Sequence, residues 1–421
     1  MNQLNSHLQL ASLDEWLFYL ESIHPTEIDM GLSRITEVVQ RLNISLTPSK
    51  IITVAGTNGK GTTCAFIENA LQDEGHSVAV YSSPHIEKFN ERLRINKVLI
   101  DDESLIAAFK RIEQTRKEIS LTYYEYTTLA ALLIAEKVKP EFLILEVGLG
   151  GRLDATNVID ADIAVITSID IDHQALLGNT REAIGYEKVG IARVNTPIII
   201  GDLNVPQSVK NYCDDIGCIA KIRNQDFHLL SENLTSHWQW QAEGVLIANL
   251  PAPFIPRDNI ATALMVLNEL GINFKPKQVV HWINTTKLEG RTEIVKSEPL
   301  VVLDVGHNPH AARYLNKFVK ANQKGKVHAI AAMLDDKDIQ GTLSEMYDCV
   351  DFWYVSSLSV HRGAKQQKLN QILKDDNIKC NSFDNVDDAY RIALANADNN
   401  DMILIFGSFF TVAKIKKSGF K

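Results

Sequence analysis

A short apolar run that breaks into a glycine-rich loop carrying one lysine constrains this chain more than any other stretch. Ile51-Ile52-Thr53-Val54-Ala55 is rich in β-branched side chains, which fit a pleated, packed surface, and it predicts a buried strand. Gly56-Thr57-Asn58-Gly59-Lys60-Gly61 follows at once, and Thr62 to Leu71 then has a helical pattern. Strand, glycine-rich turn and helix is the arrangement in which backbone N–H groups and a helix N-terminus hold phosphate. The common nucleotide loop, G-x-x-x-x-G-K-[ST], would have Gly at 54 and Ser or Thr at 61, where this chain has Val54 and Gly61. Its first hydroxyl after Lys60 is Thr62. An ordinary βα turn is the alternative; Lys60 between two glycines after an apolar strand favours phosphate.

At 421 residues the chain is long enough for two or three domains. Its net charge of −9 argues against a general nucleic-acid binder. No apolar run would span a bilayer, and Met1 to Leu10 has no signal-peptide core. Five scattered cysteines without C-x-x-C spacing point away from zinc and disulfides and towards a reducing, cytoplasmic compartment.

Taken in order, residues 12–42 read as helical around a polar break, Ile28-Asp29-Met30-Gly31-Leu32, where Asp29 suits a helix cap. A strand over 77–81 ends in Ser82-Ser83-Pro84-His85. Ligands in open parallel sheets lie beyond such strand ends, although Ser-Ser-Pro is also a common turn. A helix over 101–118 precedes Thr122-Tyr123-Tyr124-Glu125-Tyr126, whose rings would either stack on a flat ligand or pack at a domain edge. A strand over 142–145 ends at Glu146, an acid placed for Mg²⁺, and Gly148, Gly150, Gly151, Arg152 and Asp154 follow. His173 lies just past the strand 163–166, and Lys188 falls on a helix where a solvated role is the ordinary one. Residues 219–250 are irregular and β-like, as an antiparallel flap would be.

Helices over 260–270 and 276–287 lead to Leu288-Glu289-Gly290-Arg291-Thr292-Glu293, a hinge or a surface turn. A new α/β rhythm begins near Pro299, with Asp304-Val305-Gly306-His307-Asn308-Pro309-His310 at its first strand end. The expected fold class is therefore α/β in two domains. Residues 1–290 would hold a P-loop-type, mostly parallel sheet flanked by helices, and residues 291–421 a smaller Rossmann-like α/β domain. The chemistry is at minimum that of an ATP- or GTP-Mg²⁺ enzyme. A nucleotide switch is the rival, and no N-K-x-D guanine-reading pattern accompanies it.

Five segments in order resemble one family: Gly56–Thr62, Ser82–His85, Glu146–Asn157, Glu187-Lys188-Val189-Gly190-Ile191 and Asp304–His310. The loop is similar to that of the Mur-ligase superfamily, and the set is similar to the folylpolyglutamate synthase family within it, in particular its bifunctional dihydrofolate synthase branch. The likeness runs from about Trp16 to the C-terminus. It implies ATP-dependent ligation of L-glutamate to dihydropteroate and to reduced folates through an acyl phosphate, by a monomeric enzyme with two Mg²⁺ sites; from charge, hydropathy and cysteine use the expectation is a cytoplasmic protein with no nucleic-acid or membrane partner.

Residue by residue, the resemblance implies that Asn58, Gly59, Lys60, Gly61 and Thr62 hold the ATP phosphates, with Lys60 near the γ-phosphate. Ser83 and Glu146 would ligate one Mg²⁺ and His173 a second, and Lys188 would be carbamylated. Asn259, Arg291 and Asp304 match nucleotide-contacting positions, with His307 beside them. For the pterin substrate it points to Ile28, Asp29 and Met30; to Thr122, Tyr123, Tyr124 and Glu125; and to Leu153, Asp154 and Ala155. Three positions depart from the family pattern. Tyr124 stands for Phe, so its hydroxyl needs a partner; Glu289 stands for Pro, which would loosen the hinge; and Gly306 stands for Ala. A monofunctional folylpolyglutamate synthase and, more distantly, a peptidoglycan-precursor ligase are the enzyme alternatives.

Overall fold

Among the described residues two α-helices precede the first strand, on either side of the polar break, and the second corrects the capping role read for Asp29. α1 (Leu13–Ser22) opens with a capping box, in which Ser12 Oγ accepts from Glu15 N and the Glu15 carboxylate accepts from Ser12 N. α2 (Ser33–Leu42) has Leu32 at its N-cap, so Asp29 does not cap it. The computed structural model describes residues 9–231 and 237–419. The stretch read as lacking a signal peptide therefore lies mostly outside the described residues, as do positions 232–236 of the β-like stretch.

The chain continues through β1 (Lys50–Ala55), α3 (Lys60–Asp73), β2 (Val78–Tyr81), β3 (Leu93–Ile95), β4 (Val98–Leu99), α4 (Asp102–Arg116) and α5 (Tyr123–Val138). Then come β5 (Phe142–Glu146), β6 (Ile163–Ile166), α6 (Gln174–Leu177), α7 (Arg181–Val189), β7 (Pro197–Ile200), α8 (Gln207–Ile216) and β8 (Ile219–Ile222). Their eight strands form one sheet in the order β4-β3-β2-β5-β1-β6-β7-β8. All neighbours from β2 to β8 pair parallel, and β3 and β4 add an antiparallel edge. The central strands are apolar throughout because both faces are covered. One core joins α1, α2, α4 and α5 to Tyr81, Leu143 and Leu145; another joins α7 and α8 to Ala164, Ile166, Ile198 and Ile200.

Two features escaped the sequence reading. The β3–β4 hairpin turns on Asn96 and Lys97, both with positive φ, as a two-residue hairpin turn requires. β8, read as the start of a flap, instead extends the parallel sheet beside β7.

The second group of elements starts with an antiparallel three-stranded sheet of β9 (Phe227–Ser231), β10 (Trp238–Ala242) and β11 (Val245–Leu250). After α9 (Arg257–Glu269) and α10 (Pro276–Thr285), Phe274 packs its ring between Trp240 and Trp282. The remaining elements are β12 (Glu293–Ser297), β13 (Leu300–Asp304), α11 (Pro309–Asn322), β14 (Val327–Ala331), α12 (Ile339–Ser344), β15 (Phe352–Ser356), α13 (Gln366–Asp375), β16 (Cys380–Phe383), α14 (Val386–Asn396), β17 (Met402–Phe406) and α15 (Phe409–Ser418). Their sheet runs β12-β13-β17-β14-β15-β16, parallel except for the antiparallel β12 edge. The described residues divide into two compact units. The first contains the chain up to Ile171, Ala175–Phe227 and Ala261–Asn273; the second contains Asp172–Gln174, His228–Ile260 and Phe274 onward.

Candidate active site

In the first unit the loop after β1 is tied down by the segment after β6. Thr57 N donates to Ser168 O at 2.8 Å, and Asn58 N donates to Ser168 Oγ at 3.2 Å. Thr167 Oγ1 donates to Asn58 O at 2.6 Å. Gly56, at φ +153°, lies so close to this segment that a Cβ there would sit 1.9 Å from Thr167 Oγ1. Gly59, at φ +86°, caps α3, and Lys60 begins that helix. The lysine curls back along the loop, Nζ donating to Gly56 O at 3.0 Å, while Thr62 Oγ1 donates to Gly59 O at 3.0 Å. A glycine-bounded loop, a helix N-terminus and an ammonium group thus meet at the carboxyl end of the central strand, which is an anion-binding arrangement.

Glu146 closes β5 opposite Val54 of β1, so the sheet register alone brings this buried acid to the base of the loop. The hydroxyl of Tyr124 finds its partner here: it donates to Glu146 O at 3.4 Å and also engages the Ser83 side chain. Burial raises this phenol, with the charges of Asp154 and Tyr81 adding to the effect. The Tyr124 ring fills the space beside Gly148, where a Cβ would be 2.6 Å from it.

The loop after β5 folds on Asp154. Its carboxylate accepts from Leu149 N at 2.9 Å, Thr156 N at 3.0 Å and Thr156 Oγ1 at 2.7 Å. Burial raises this carboxyl above its ordinary range, and the backbone N–H groups work against that rise. Arg152 pairs with Glu187 at 2.7 Å, and Asn157 Nδ2 donates to both Arg152 O and Gly190 O. Gly151 is pressed against the backbone of Lys188 itself. Lys188, read as solvated on residue physics alone, is only 3% exposed in the last turn of α7.

The three segments assigned to the pterin come together within this unit. The ring of Tyr124 lies against Gly148, and a Cβ on Gly150 would be 3.5 Å from Met30. Arg34 Nη2 lies 3.2 Å from Glu125 Oε1 while Nη1 donates to Asp29 Oδ2 at 2.7 Å. Thr122 and Glu125 form the capping box of α5. Ile28 is exposed, Leu153 half-buried and Ala155 buried. Tyr123 stacks beneath the Arg92 guanidinium, and burial pushes its phenol up to about 12.

In the second unit Asp172 draws in a cluster. Lys337 Nζ donates to Asp172 Oδ1 at 2.9 Å, Asn308 Nδ2 donates to Oδ2 at 2.9 Å, and His307 Nε2 lies 3.7 Å from Oδ2. Burial alone would raise this carboxyl, but His307, Lys337 and His173 hold it far below the ordinary carboxylate range. His173 adopts φ +51° and its Nε2 is 3.4 Å from Lys337 Nζ. Lys337 was missed in the sequence; its place shortly after β14 was the available signal. Asp304 accepts from Thr292 N and Gly306 N, and burial raises it against the pull of Arg291. The Arg291 guanidinium lies over the Phe409 ring at 5.0 Å. Asn259 is buried in the first turn of α9. Glu289 is not loose: Lys416 Nζ donates to it at 2.5 Å and to Glu293 at 3.1 Å.

Among the described residues no three His, Cys, Asp or Glu side chains come together to hold a metal ion. Of the expected metal ligands, Ser83 and Glu146 lie in the first unit. A hydroxyl and a carboxylate are hard oxygen donors of the kind Mg²⁺ and Mn²⁺ take.

Residues 54–218 match the Mur ligase middle domain and residues 290–409 the Mur ligase glutamate ligase domain. The chain is 41% identical, over 97% of its length and 98% of the relative's, to a dihydrofolate synthase/folylpolyglutamate synthase of Haemophilus influenzae. Among solved structures it is similar to Escherichia coli FolC in complex with DHPP and ADP, with a TM-score of 0.92 and 41% identity over 97% of each chain. It is likewise similar to a bifunctional folylpolyglutamate synthase/dihydrofolate synthase of Yersinia pestis complexed with AMPPNP and Mn ion. The TM-score there is 0.91, with 41% identity over 97% of this chain and 98% of the other.

Proposed function

This chain belongs to the dihydrofolate synthase/folylpolyglutamate synthase family of Mur ligases, and on that premise we propose that it joins L-glutamate to two kinds of acceptor. One is 7,8-dihydropteroate, giving dihydrofolate; the other is tetrahydrofolate and its polyglutamates. ATP phosphorylates the acceptor carboxylate, and the amine of L-glutamate displaces phosphate from the acyl phosphate to form the amide. The observation that carries the reading is the meeting of Lys60, the β1 loop and Glu146 at one strand end.

Each group has a task that its surroundings suit. The loop N–H groups and Lys60 bind and orient the phosphates, so that negative charge gathering on the transferred group meets fixed positive charge. Ser83 and Glu146 would hold one Mg²⁺ and His173 a second, and these ions, when bound, offset the repulsion between nucleotide phosphate and substrate carboxylate. Burial of Lys188 supports its carbamylation, because a buried ammonium is costly and the carbamate turns it into an oxygen donor. Asn259, Arg291, Asp304 and His307 are the second unit's nucleotide-contacting candidates, and the segments around Asp29, Tyr124 and Asp154 take the pterin. The same proposal takes residues 1–290 and 291–421 as domains of a monomeric, cytoplasmic enzyme. The unbridged state of all five cysteines supports a reducing compartment, and no described helix is long and apolar enough to cross a membrane.

The test incubates purified protein with ATP, Mg²⁺ and L-glutamate, with dihydropteroate in one reaction and tetrahydrofolate in another, and follows ADP and product. Both reactions are expected to turn over. Turnover with folate alone would leave a monofunctional folylpolyglutamate synthase, and none with either would remove the ligase reading. Lys188→Ala should lose most activity and recover part of it on addition of short carboxylates; activity close to wild type would dismiss the carbamate.

A further inference from the structure

The residue that organises the pterin-facing segments lies outside all of them. Arg34, in the first turn of α2, has one guanidinium facing two carboxylates from separate parts of the chain. Nη1 donates to Asp29 Oδ2 at 2.7 Å, and Nη2 donates to the backbone Asp29 O at 2.9 Å. Asp29 is thus gripped by main chain and side chain together. The same Nη2 lies 3.2 Å from Oε1 of Glu125, a buried carboxylate whose other oxygen accepts from Thr122 N at the start of α5. On its other side Asp29 Oδ2 meets His24 Nε2 at 3.2 Å, and His24 Nδ1 is in turn fixed by Ser120 Oγ at 3.1 Å. The Asp29 side chain nevertheless remains 41% exposed.

We propose that Arg34 is a positioning residue for the pterin-bearing substrate. It locks Asp29 with Oδ2 turned inward and Oδ1 left to accept from the substrate's N–H groups, and it ties that carboxylate to the end of α5 that carries Tyr123 and Tyr124. The planar fork matters here, because one guanidinium hydrogen-bonds a carboxylate and a carbonyl in fixed directions while setting its charge 3.2 Å from a second carboxylate, which an ammonium cannot do. Without it two carboxylates, one of them buried, would lose their shared counter-charge and the loop over 23–32 its tether. This inference rests on the ligase reading, so its test begins with the unaltered enzyme.

Steady-state kinetics on the full chain, with ATP, Mg²⁺, L-glutamate and dihydropteroate each varied in turn, provide that test. No turnover by the unaltered chain counts against the ligase reading itself. With an active enzyme, Arg34→Met should raise the KM for dihydropteroate about tenfold or more, the size of losing hydrogen bonds to a charged group, with the KM values for ATP and L-glutamate unchanged. Arg34→Lys should recover part of the loss. Asp29→Asn should raise the same KM, and the double variant should be no worse than the more damaging single one, since Arg34 acts through Asp29. An unchanged dihydropteroate KM, an equal rise for all three substrates or additive losses in the double variant would overturn the proposal. Should Arg34→Met fail to fold, Arg34→Lys decides by the same KM: a selective rise supports the proposal and no rise overturns it.

Discussion

Gly56 shows how much the loop after β1 depends on one missing side chain. An alanine there would place its Cβ 1.9 Å from Thr167 Oγ1, at a φ of +153° that side-chain-bearing residues rarely adopt. The Thr167 hydroxyl cannot simply withdraw, because it donates to Asn58 O within the same loop. Gly56→Ala is expected to cost about 1–3 kcal/mol as an overpacked site, and to weaken nucleotide binding because the loop must shift. Fluorescent-nucleotide titration with thermal unfolding checks both effects, and adding Thr167→Ala should restore part of the binding. At this scale the sequence was legible where chemistry is local: Lys60 and its glycines are neighbours, so their order already implies a loop. It was not legible for Lys188, whose burial depends on a loop more than thirty residues earlier being pressed onto its helix.

At the scale of elements, a buried polar knot fastens α1 to α4 and α5. Glu113 accepts from Tyr19 Oη at 3.0 Å and from Tyr126 Oη at 2.9 Å, and the Arg116 guanidinium grips both its oxygens. Glu113→Ala leaves the Arg116 charge buried without that counter-ion and should destabilise this helical layer by about 3–5 kcal/mol, seen as faster hydrogen exchange in α1. Two phenols in the layer set an alkaline limit. Burial pushes Tyr19 and Tyr123 up to about 12 from an ordinary 10.0, so the folded state keeps their protons after the unfolded chain has released them. Their contribution is complete below pH 10.0 and is lost as pH climbs towards about 12. Tyr19→Phe and Tyr123→Phe should each flatten the fall of thermal midpoint across that window, with tyrosinate absorbance following the titration. The periodicity of 12–42 foretold both the helices and the polar break between them, yet not what holds that break, because Arg34 and His24 find partners beyond the local pattern.

For the whole molecule, nucleotide binding should appear as stability. AMPPNP with Mn²⁺ at about 100 times its Kd would add about 2.7 kcal/mol to the folded state, measurable as a rise in thermal midpoint that Lys60→Ala largely removes. The central strands in their order along the chain, the glycine-rich loop and the acid at the end of β5 were written in the sequence, because strand and turn preferences act over a few residues; the β3–β4 hairpin and the pairing of β8 were not. Which carboxylates would be used up by their own backbone, as Asp154 and Asp304 are, was not. Nor was the meeting of Lys337 with Asp172, 165 positions away. By itself the sequence determined the strand-loop-helix around Lys60 and, through its ordered motifs, the family. The tertiary structure alone decided which charges face one another, because a charge finds its partner by where packing brings it and not by where it lies along the chain.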